Sequence, residues 1–220
     1  MFRPYLSAAC ISICLLGGAS MAAAQASDAA TVVQGALGVS TGNKVRPAVS
    51  LEVNRALTER AVVFAEGAWV SSVSPAFISD RAETLARAIG GTVDQRDRAT
   101  SFTIGAKYLL APSDSATQPY IGAGVGTMTI AKTSTFTVGS TEVTDALLGS
   151  TYGVSLGADL SGSTTKLSML GVAGLARMVG DKAMLDVSYR YGVAVPRTSV
   201  IAGDKAIHVQ RFMAALGYRF

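Results

Sequence analysis

The chain has 220 residues, enough for one sizeable domain, and only 15% of them are charged while 49% are hydrophobic. An ordinary soluble domain carries about 25% charged residues, and a disordered one combines low hydrophobicity with high charge, so this chain is neither. The net charge of +4 is spread without a basic block, which excludes a nucleic-acid footprint, and the lone histidine, His208, leaves no His-based metal site.

Met1 to Ala26 has the layout of a secretory signal peptide. Arg3 precedes an apolar run from Leu6 to Leu16, and small residues follow, with cleavage expected near Ala24 or Ala26. The run is too short for a membrane-spanning helix of about 20 apolar residues. Cys10 and Cys14 both lie in this leader and neither has a lipidation setting, since no Leu stands three residues before Cys10. The exported part, residues 27–220, is then one domain without thiols, disulfides or cysteine chemistry. No later apolar run reaches the length of a membrane-spanning helix.

From there period-two alternation dominates, the signature of half-buried strands. The spacing predicts eight strands: 32–41, 45–57, 61–71, 101–111, 119–131, 165–178, 183–191 and 208–220. In the second, Val49, Leu51 and Val53 oppose Arg46, Ser50, Glu52 and Asn54. In the third, Val63, Ala65 and Trp69 oppose Phe64 and Glu66. In the fourth, Phe102, Ile104, Ala106, Tyr108 and Leu110 oppose Thr103, Gly105 and Lys107. In the seventh, Leu185, Val187, Tyr189 and Tyr191 oppose Asp186, Ser188 and Arg190. The last sets Phe212, Ala214, Leu216, Tyr218 and Phe220 against Arg211, Met213, Ala215, Gly217 and Arg219. Glycines at 122, 124, 126, 171 and 174 blur the faces of the fifth and sixth.

Connections alternate from the second turn onward: Thr58-Glu59 is tight, 72–98 long, 112–118 short, 132–164 long, 180–182 tight and 196–206 medium. Only the first hairpin, at Gly42-Asn43, is short on the long-loop side. Within 72–98, Asp80 and Glu83 form a capping-box-like start and Gly90-Gly91 a stop, predicting a short surface helix. It is read either as a contact surface or as a lid over the barrel mouth. The stretch Ser150 to Leu160 also alternates, but a ninth membrane strand would put the C-terminus on the wrong side, so it is assigned to the loop.

One face of these strands is apolar, with Trp69, Phe102 and Tyr108 as aromatic girdle residues near strand ends. The other carries Glu52, Glu66, Lys107, Asp186, Arg190, Arg211 and Arg219. A soluble barrel such as a lipocalin puts the apolar residues inside, the reverse arrangement. The reading is an all-β, eight-stranded antiparallel up-and-down transmembrane β-barrel, closed because lipid cannot satisfy a free sheet edge. The seven charged residues then converge on a lumen only wide enough for side chains. They form either a structural ion-pair network, the favoured reading, or a conduction path. Arg55 and Arg60 are expected to snorkel to headgroups at the turn end.

The C-terminal pattern Phe212, Ala214, Leu216, Tyr218, Phe220 resembles the signal by which the barrel-assembly machinery of Gram-negative outer membranes selects its clients. The segment Pro119-Tyr120-Ile121-Gly122-Ala123-Gly124-Val125-Gly126 resembles the fifth strand of the small outer membrane protein β-barrel family, which includes OmpA-like and OmpX-like barrels and related surface antigens. Gly174 to Arg177, Gly180 to Lys182 and Asp186 to Tyr191 resemble its sixth and seventh strands. The resemblance implies a cell outer membrane location, both termini in the periplasm, and contact with outer-membrane lipid, lipopolysaccharide and the barrel-assembly machinery. The peptidoglycan-binding domain of OmpA-type proteins is not expected here.

The leading functional expectation is a structural or surface-interaction protein whose loops meet a host or envelope surface partner. A narrow porin-like or OmpW-type channel is the alternative, with Gly105, Ala215 and Gly217 leaving luminal room. A lipid-modifying outer-membrane enzyme ranks lowest. His208 would be its base, yet Ile207, Val209 and Gln210 match no such motif, and Ser199 and Asp204 are near only in sequence. No catalytic residue, metal site, cofactor or nucleic-acid partner is expected.

Overall fold

The computed structural model describes residues 30–41, 45–71, 73, 76–112, 115–143, 145–153, 160–196 and 206–220. The predicted leader, the first hairpin tip, Ser199, Asp204 and most of the stretch 150–160 lie outside them. Nine strands and two helices follow in chain order: β1 Thr31–Thr41, β2 Arg46–Ala56, β3 Ala61–Val70, α1 Ala76–Ala88, β4 Thr92–Leu109, β5 Thr117–Val138, β6 Thr141–Val143, α2 Asp145–Tyr152, β7 Gly162–Val179, β8 Ala183–Ala194 and β9 Ile207–Arg219. Neither helix is long and apolar enough to cross a membrane.

Eight strands pair antiparallel with their neighbours in the chain, and β1 pairs with β9 to close the barrel. Among the described residues the short β6 pairs only with the end of β5. Register partners followed from Gln34 through Glu52, Glu66, Thr103, Gly126, Ser168 and Ala194 end at Ile207. On its other side Gln34 pairs with Gly217, so one circuit is displaced ten residues along β9. That shear with eight strands requires a strand tilt of about 40° and a narrow bore. The start of β1 and the end of β9 lie at one end, where β2 meets β3, β4 meets β5 and β7 meets β8; β3–β4, β5–β7 and β8–β9 are joined at the other.

Alternation along the strands has the predicted sense. Leu216 is 64% exposed and its neighbour Ala215 is 7% exposed. Leu37, Leu51, Ile104, Val125 and Val187 likewise face outward, while Glu52, Glu66, Arg190 and Arg211 face in. This is the inverse of a soluble barrel.

The loop end departs from the sequence expectation. β4 begins nine residues before the predicted 101, and β5 runs seven residues past the predicted 131. Crossing a bilayer takes about 9–11 residues, so this two-stranded ribbon projects beyond the membrane, with Asp94, Arg96 and Arg98 on its outward side. The predicted helix is present but starts earlier, so Asp80 lies inside it and does not cap it. Its C-terminal stop is as read: Gly90 takes φ +70°, and Gly91 N–H donates to Ala86 O at 2.8 Å. Residues 150–152, expected to be strand-like, instead end helix α2.

These pieces share a small core of their own. Ala86, Ile89, Phe136, Val143 and Leu148 are buried together, with Leu85, Val93 and Val138 packed against them. Ala82 and Leu160 extend it, and Ser134 Oγ donates to Leu160 O at 2.8 Å. The described parts of the two long loops therefore form one folded cap. Under it, on the inner side of the ribbon, Asp97 is buried in register with Lys132. Burial pushes its carboxyl up to about 6, against the opposing pull of the Lys132 charge and a Gln95 hydrogen bond.

A raised carboxyl pKa means the folded ribbon favours the protonated acid. Its contribution to stability is complete below the ordinary carboxyl range and is lost as pH rises through about 6. Amide exchange of Thr92–Ala99, corrected for intrinsic rates, should therefore show less protection at pH 7 than at pH 4. An Asp97→Asn variant should hold the protected state at both. A wild-type ribbon equally protected at the two pH values would contradict this.

Candidate functional site

The candidate site is the lumen and what seals it. Its charges come from opposite walls. Glu52 on β2 and Glu66 on β3 are direct cross-strand neighbours, and Arg190 on β8 and Arg211 on β9 are another such pair. Like charges directly opposite on a sheet repel. Here each pair is compensated across the bore. Arg190 Nη1 lies 2.6 Å from Glu66 Oε1 and 3.0 Å from Glu52 Oε2. Arg211 grips Glu66 with both nitrogens, at 2.9 and 3.3 Å. Lys107 on β4 pairs with Glu52 Oε1 and donates to Asn54 Oδ1 at 3.1 Å. Gln34 Nε2 donates to Glu52 Oε1 at 2.7 Å.

The ammonium of Lys107 also sits between two aromatic faces, 5.3 Å from the Phe64 centroid and 4.8 Å from that of Tyr120. Asp186 is buried on the same side of β8, beside the Tyr120 hydroxyl and facing the charges of Lys107 and Arg190. Six of the seven predicted luminal charges are thus gathered. Arg219 has the same strand parity but is exposed at the terminal end and takes no part.

Glycines do not leave the expected luminal room. A Cβ on Gly105 would meet Phe64 Cε1 at 2.7 Å, and one on Gly174 would meet Tyr120 Oη at 2.6 Å. The two rings occupy what the glycines vacate. At Gly217 the space is taken by Val32 and Gln34, 3.0 and 3.2 Å from a built Cβ. Towards the loop end Val70, Ala99, Met128, Ile130, Ala194, Ile207, Val209 and Met213 form one apolar cluster, with the buried Lys166 of β7 in register with Met128. Along the bore the ion network is thus followed by an apolar cluster nearer the loop end.

The outer surface carries the girdle residues. Phe102 is exposed and Trp69 half-buried toward the loop end, while exposed Tyr108 lies at the terminal end beside Arg60, 3.5 Å from its hydroxyl. Phe212, Leu216, Tyr218 and Phe220 line one outward face of β9, with Tyr218 and Phe220 edge to face at 4.9 Å. The backbone of Phe220 donates to Thr31 O at 2.9 Å, tying the C-terminus to the first strand.

A model of the outer membrane protein beta-barrel domain matches residues 10–220. The chain belongs to that family. Its members' name places it in the cell outer membrane. The chain is similar to Neisserial surface protein A, at 11% identity and a TM-score of 0.52, covering 87% of this chain and 96% of that one. It also resembles the attachment invasion locus protein Ail of Yersinia pestis (15% identity, TM-score 0.48, 88% and 100% covered). A third similar structure is the N-terminal β-barrel domain of Pseudomonas aeruginosa OprF (11%, TM-score 0.49, 86% and 97%). Identities this low speak for the fold alone. No curated protein matches the chain.

Sequence reasoning missed Gln34, Asn54 and Tyr120 as members of the network. Tyr120 shares inward parity with Gly122, Gly124 and Gly126, a signal hidden because glycine has no face preference.

Removing one member of a buried ion network leaves its partners uncompensated, at a cost of about 3–5 kcal/mol. Glu66→Gln strips both arginines of a shared anion. Its unfolding free energy in detergent should fall by roughly that amount, and by less when Arg211→Met is added. A Glu66→Gln protein within about 0.5 kcal/mol of wild type would show that the network is not what holds the walls together.

Proposed function

We propose that the protein is a non-conducting outer-membrane anchor that presents its loop-end cap to a surface partner, with both termini in the periplasm. The observation that carries this reading is the pairing of a sealed bore with a folded cap. The luminal ion network and the apolar layer fill the interior. The cap has an apolar core of its own, with Phe136 and Leu148 fully buried. A long loop that carried no role would have no need of such a core, and function on rigid barrels concentrates in their loops. The exposed side of α1 offers Asp80, Arg81, Glu83 and Arg87, a mixed-charge surface suited to a polar partner.

The packing supports this reading over a narrow channel, because Phe64 and Tyr120 fill the space beside Gly105 and Gly174. We read the role as non-enzymatic; the one histidine is hydrogen-bonded to Tyr191 at 2.7 Å, and Ser199 and Asp204 lie outside the described residues.

The test is a cap-deletion variant in which residues 74–91 and 140–161 are each replaced by a short turn. Cells displaying wild-type protein should adhere to epithelial cells or to other envelope-bearing cells more than cells displaying the variant. The variant should still show a heat-dependent gel shift, marking an intact barrel. Equal adherence of the two, with the shift retained, would sink the cap's assignment.

A further inference from the structure

Where β4 and β5 outrun the barrel wall, the ribbon has an open strand edge. β3 accompanies β4 only as far as the pair Val70 and Ala99, and among the described residues no strand pairs with Thr92–Arg98 on that side. On the other side the same segment pairs with β5 throughout, from Thr92 with Thr137 to Arg98 with Ala131. Helix α1 packs on a face of the ribbon, where Ala86 and Ile89 meet Phe136 and Val93. A bare strand edge is a template for another strand, and native proteins commonly blunt theirs with lysines, prolines or bulges. The segment from Thr92 to Arg98 holds no lysine and no proline, and its register with β5 is unbroken.

Neighbouring bonds fix where the backbone groups aim. Leu109 N–H donates to Arg60 O on the β3 side at 2.8 Å, and Leu110 N–H donates to Pro119 O on the β5 side at 2.8 Å. Amide direction alternates along a strand, so residues with the parity of Leu109 point to the β3 side. Val93 and Gln95 therefore aim their amides off the open edge. An added antiparallel strand must form its hydrogen-bonded pairs at residues of that parity.

The side chains then select the strand. Asp94, Arg96 and Arg98 are exposed on the outward face, and Arg96 Nη2 lies 2.8 Å from Asp94 Oδ2. Three central registers would join this segment to a second copy of itself. Centring on Asp94 sets that acid against its own copy, and centring on Arg96 sets two guanidinium groups against each other; like charges directly opposite repel. Centring on Gln95 sets Asp94 against the second copy's Arg96 and Arg96 against the second copy's Asp94. These are the closer, non-hydrogen-bonded positions, where opposite charges stabilise. At the axis Gln95 meets Gln95, and an amide both donates and accepts. The charge pattern is thus self-complementary in one register.

We propose that the β4 edge is a homophilic site: two copies in facing membranes join Thr92–Arg98 antiparallel about Gln95, making one four-stranded sheet. Facing membranes are required because antiparallel joining reverses strand direction, and all copies in one membrane run β4 from the loop end to the terminal end. Gln95 lies seven residues beyond the girdle residue Phe102, a rise of about 18 Å at the barrel's tilt. The two girdles then stand about 35 Å apart. The inference goes beyond the anchor reading, which concerns the exposed helix of the cap; an assay with no other partner present tests the edge by itself.

The experiment places the refolded protein in phosphatidylcholine vesicles free of lipopolysaccharide. Light scattering reads clustering, and electron cryomicroscopy reads the gap between bilayers. Wild-type vesicles should cluster, with facing bilayers about 35 Å apart. Asp94→Arg sets base against base, and Arg96→Asp sets acid against acid. Vesicles of either variant alone should scatter as empty vesicles do. The two kinds mixed should cluster as wild type does, because every cross-strand pair is again opposite in sign. Gln95→Pro removes the amide at the axis without touching a bond to β5, and should abolish clustering with the heat-dependent gel shift kept. Wild-type vesicles that stay dispersed, clustering that survives either charge reversal, or a mixture that stays dispersed would overturn the proposal. If a variant shows no gel shift, the wild-type gap decides: clustered bilayers in direct contact, or at no fixed spacing, would overturn it.

Discussion

Arg190 reaching across the bore to Glu66 is the contact on which the rest of the structure depends. Its side chain is fully buried and lies 2.6 Å from a carboxylate that is buried too. Neither charge could remain there alone, because the desolvation cost of an isolated buried ion is several kcal/mol. The sheet makes the demand sharper by placing Glu66 beside Glu52 and Arg190 beside Arg211. Each wall is electrostatically unstable by itself and is satisfied only when the opposite wall is in place. Barrel closure and charge compensation are therefore the same event. The shear of ten residues sets the tilt that brings these walls within side-chain reach.

On the proposed reading, the interior holds the walls together and is not a route for transport. Phe64 and Tyr120 enclose Lys107 where glycines would otherwise open space, and an apolar layer from Val70 to Met213 lies between that network and the cap. The parts of the molecule that remain available are its two outer surfaces. One is the cap, built where β4 and β5 outrun the membrane and gather α1, β6 and α2 around Phe136 and Leu148. The other is the lipid-facing band, where Tyr189 and Tyr191 of β8 hydrogen-bond Gln210 and His208 of β9. Activity at either would leave the lumen untouched, which is how one scaffold carries many roles.

The barrel was legible in the sequence because a membrane strand alternates between two environments with opposite demands. Leu216 and Ala215, or Val187 and Asp186, announce their faces without any structure. Six of the luminal charges were legible for the same reason; Arg219 returns to solvent at the terminal end despite its parity, and the buried Lys166 of β7 was missed in a strand whose faces glycines blur. The ends of β4 and β5 were not. Beyond the bilayer the outward side faces water, so Asp94, Arg96 and Arg98 continue the alternation in polar residues, and the apolar signal stops before the strand does. The stretch from Ser150 misled in the opposite sense. Its alternation suits a strand, but its first residues finish a helix that buries Leu148 against Phe136 and Val143. Tertiary packing overrides local preference in so short a segment. The hydrogen bonds of His208 and Gln210 depend on register between β8 and β9, which no single strand reveals.

The central claim is that the bore is sealed by its own side chains. Planar-bilayer recording of the refolded protein, with the heat-dependent gel shift confirming a folded barrel, tests it most directly. The account predicts a quiet baseline without discrete steps at any moderate voltage. Reproducible single-channel steps from folded wild-type protein would contradict it.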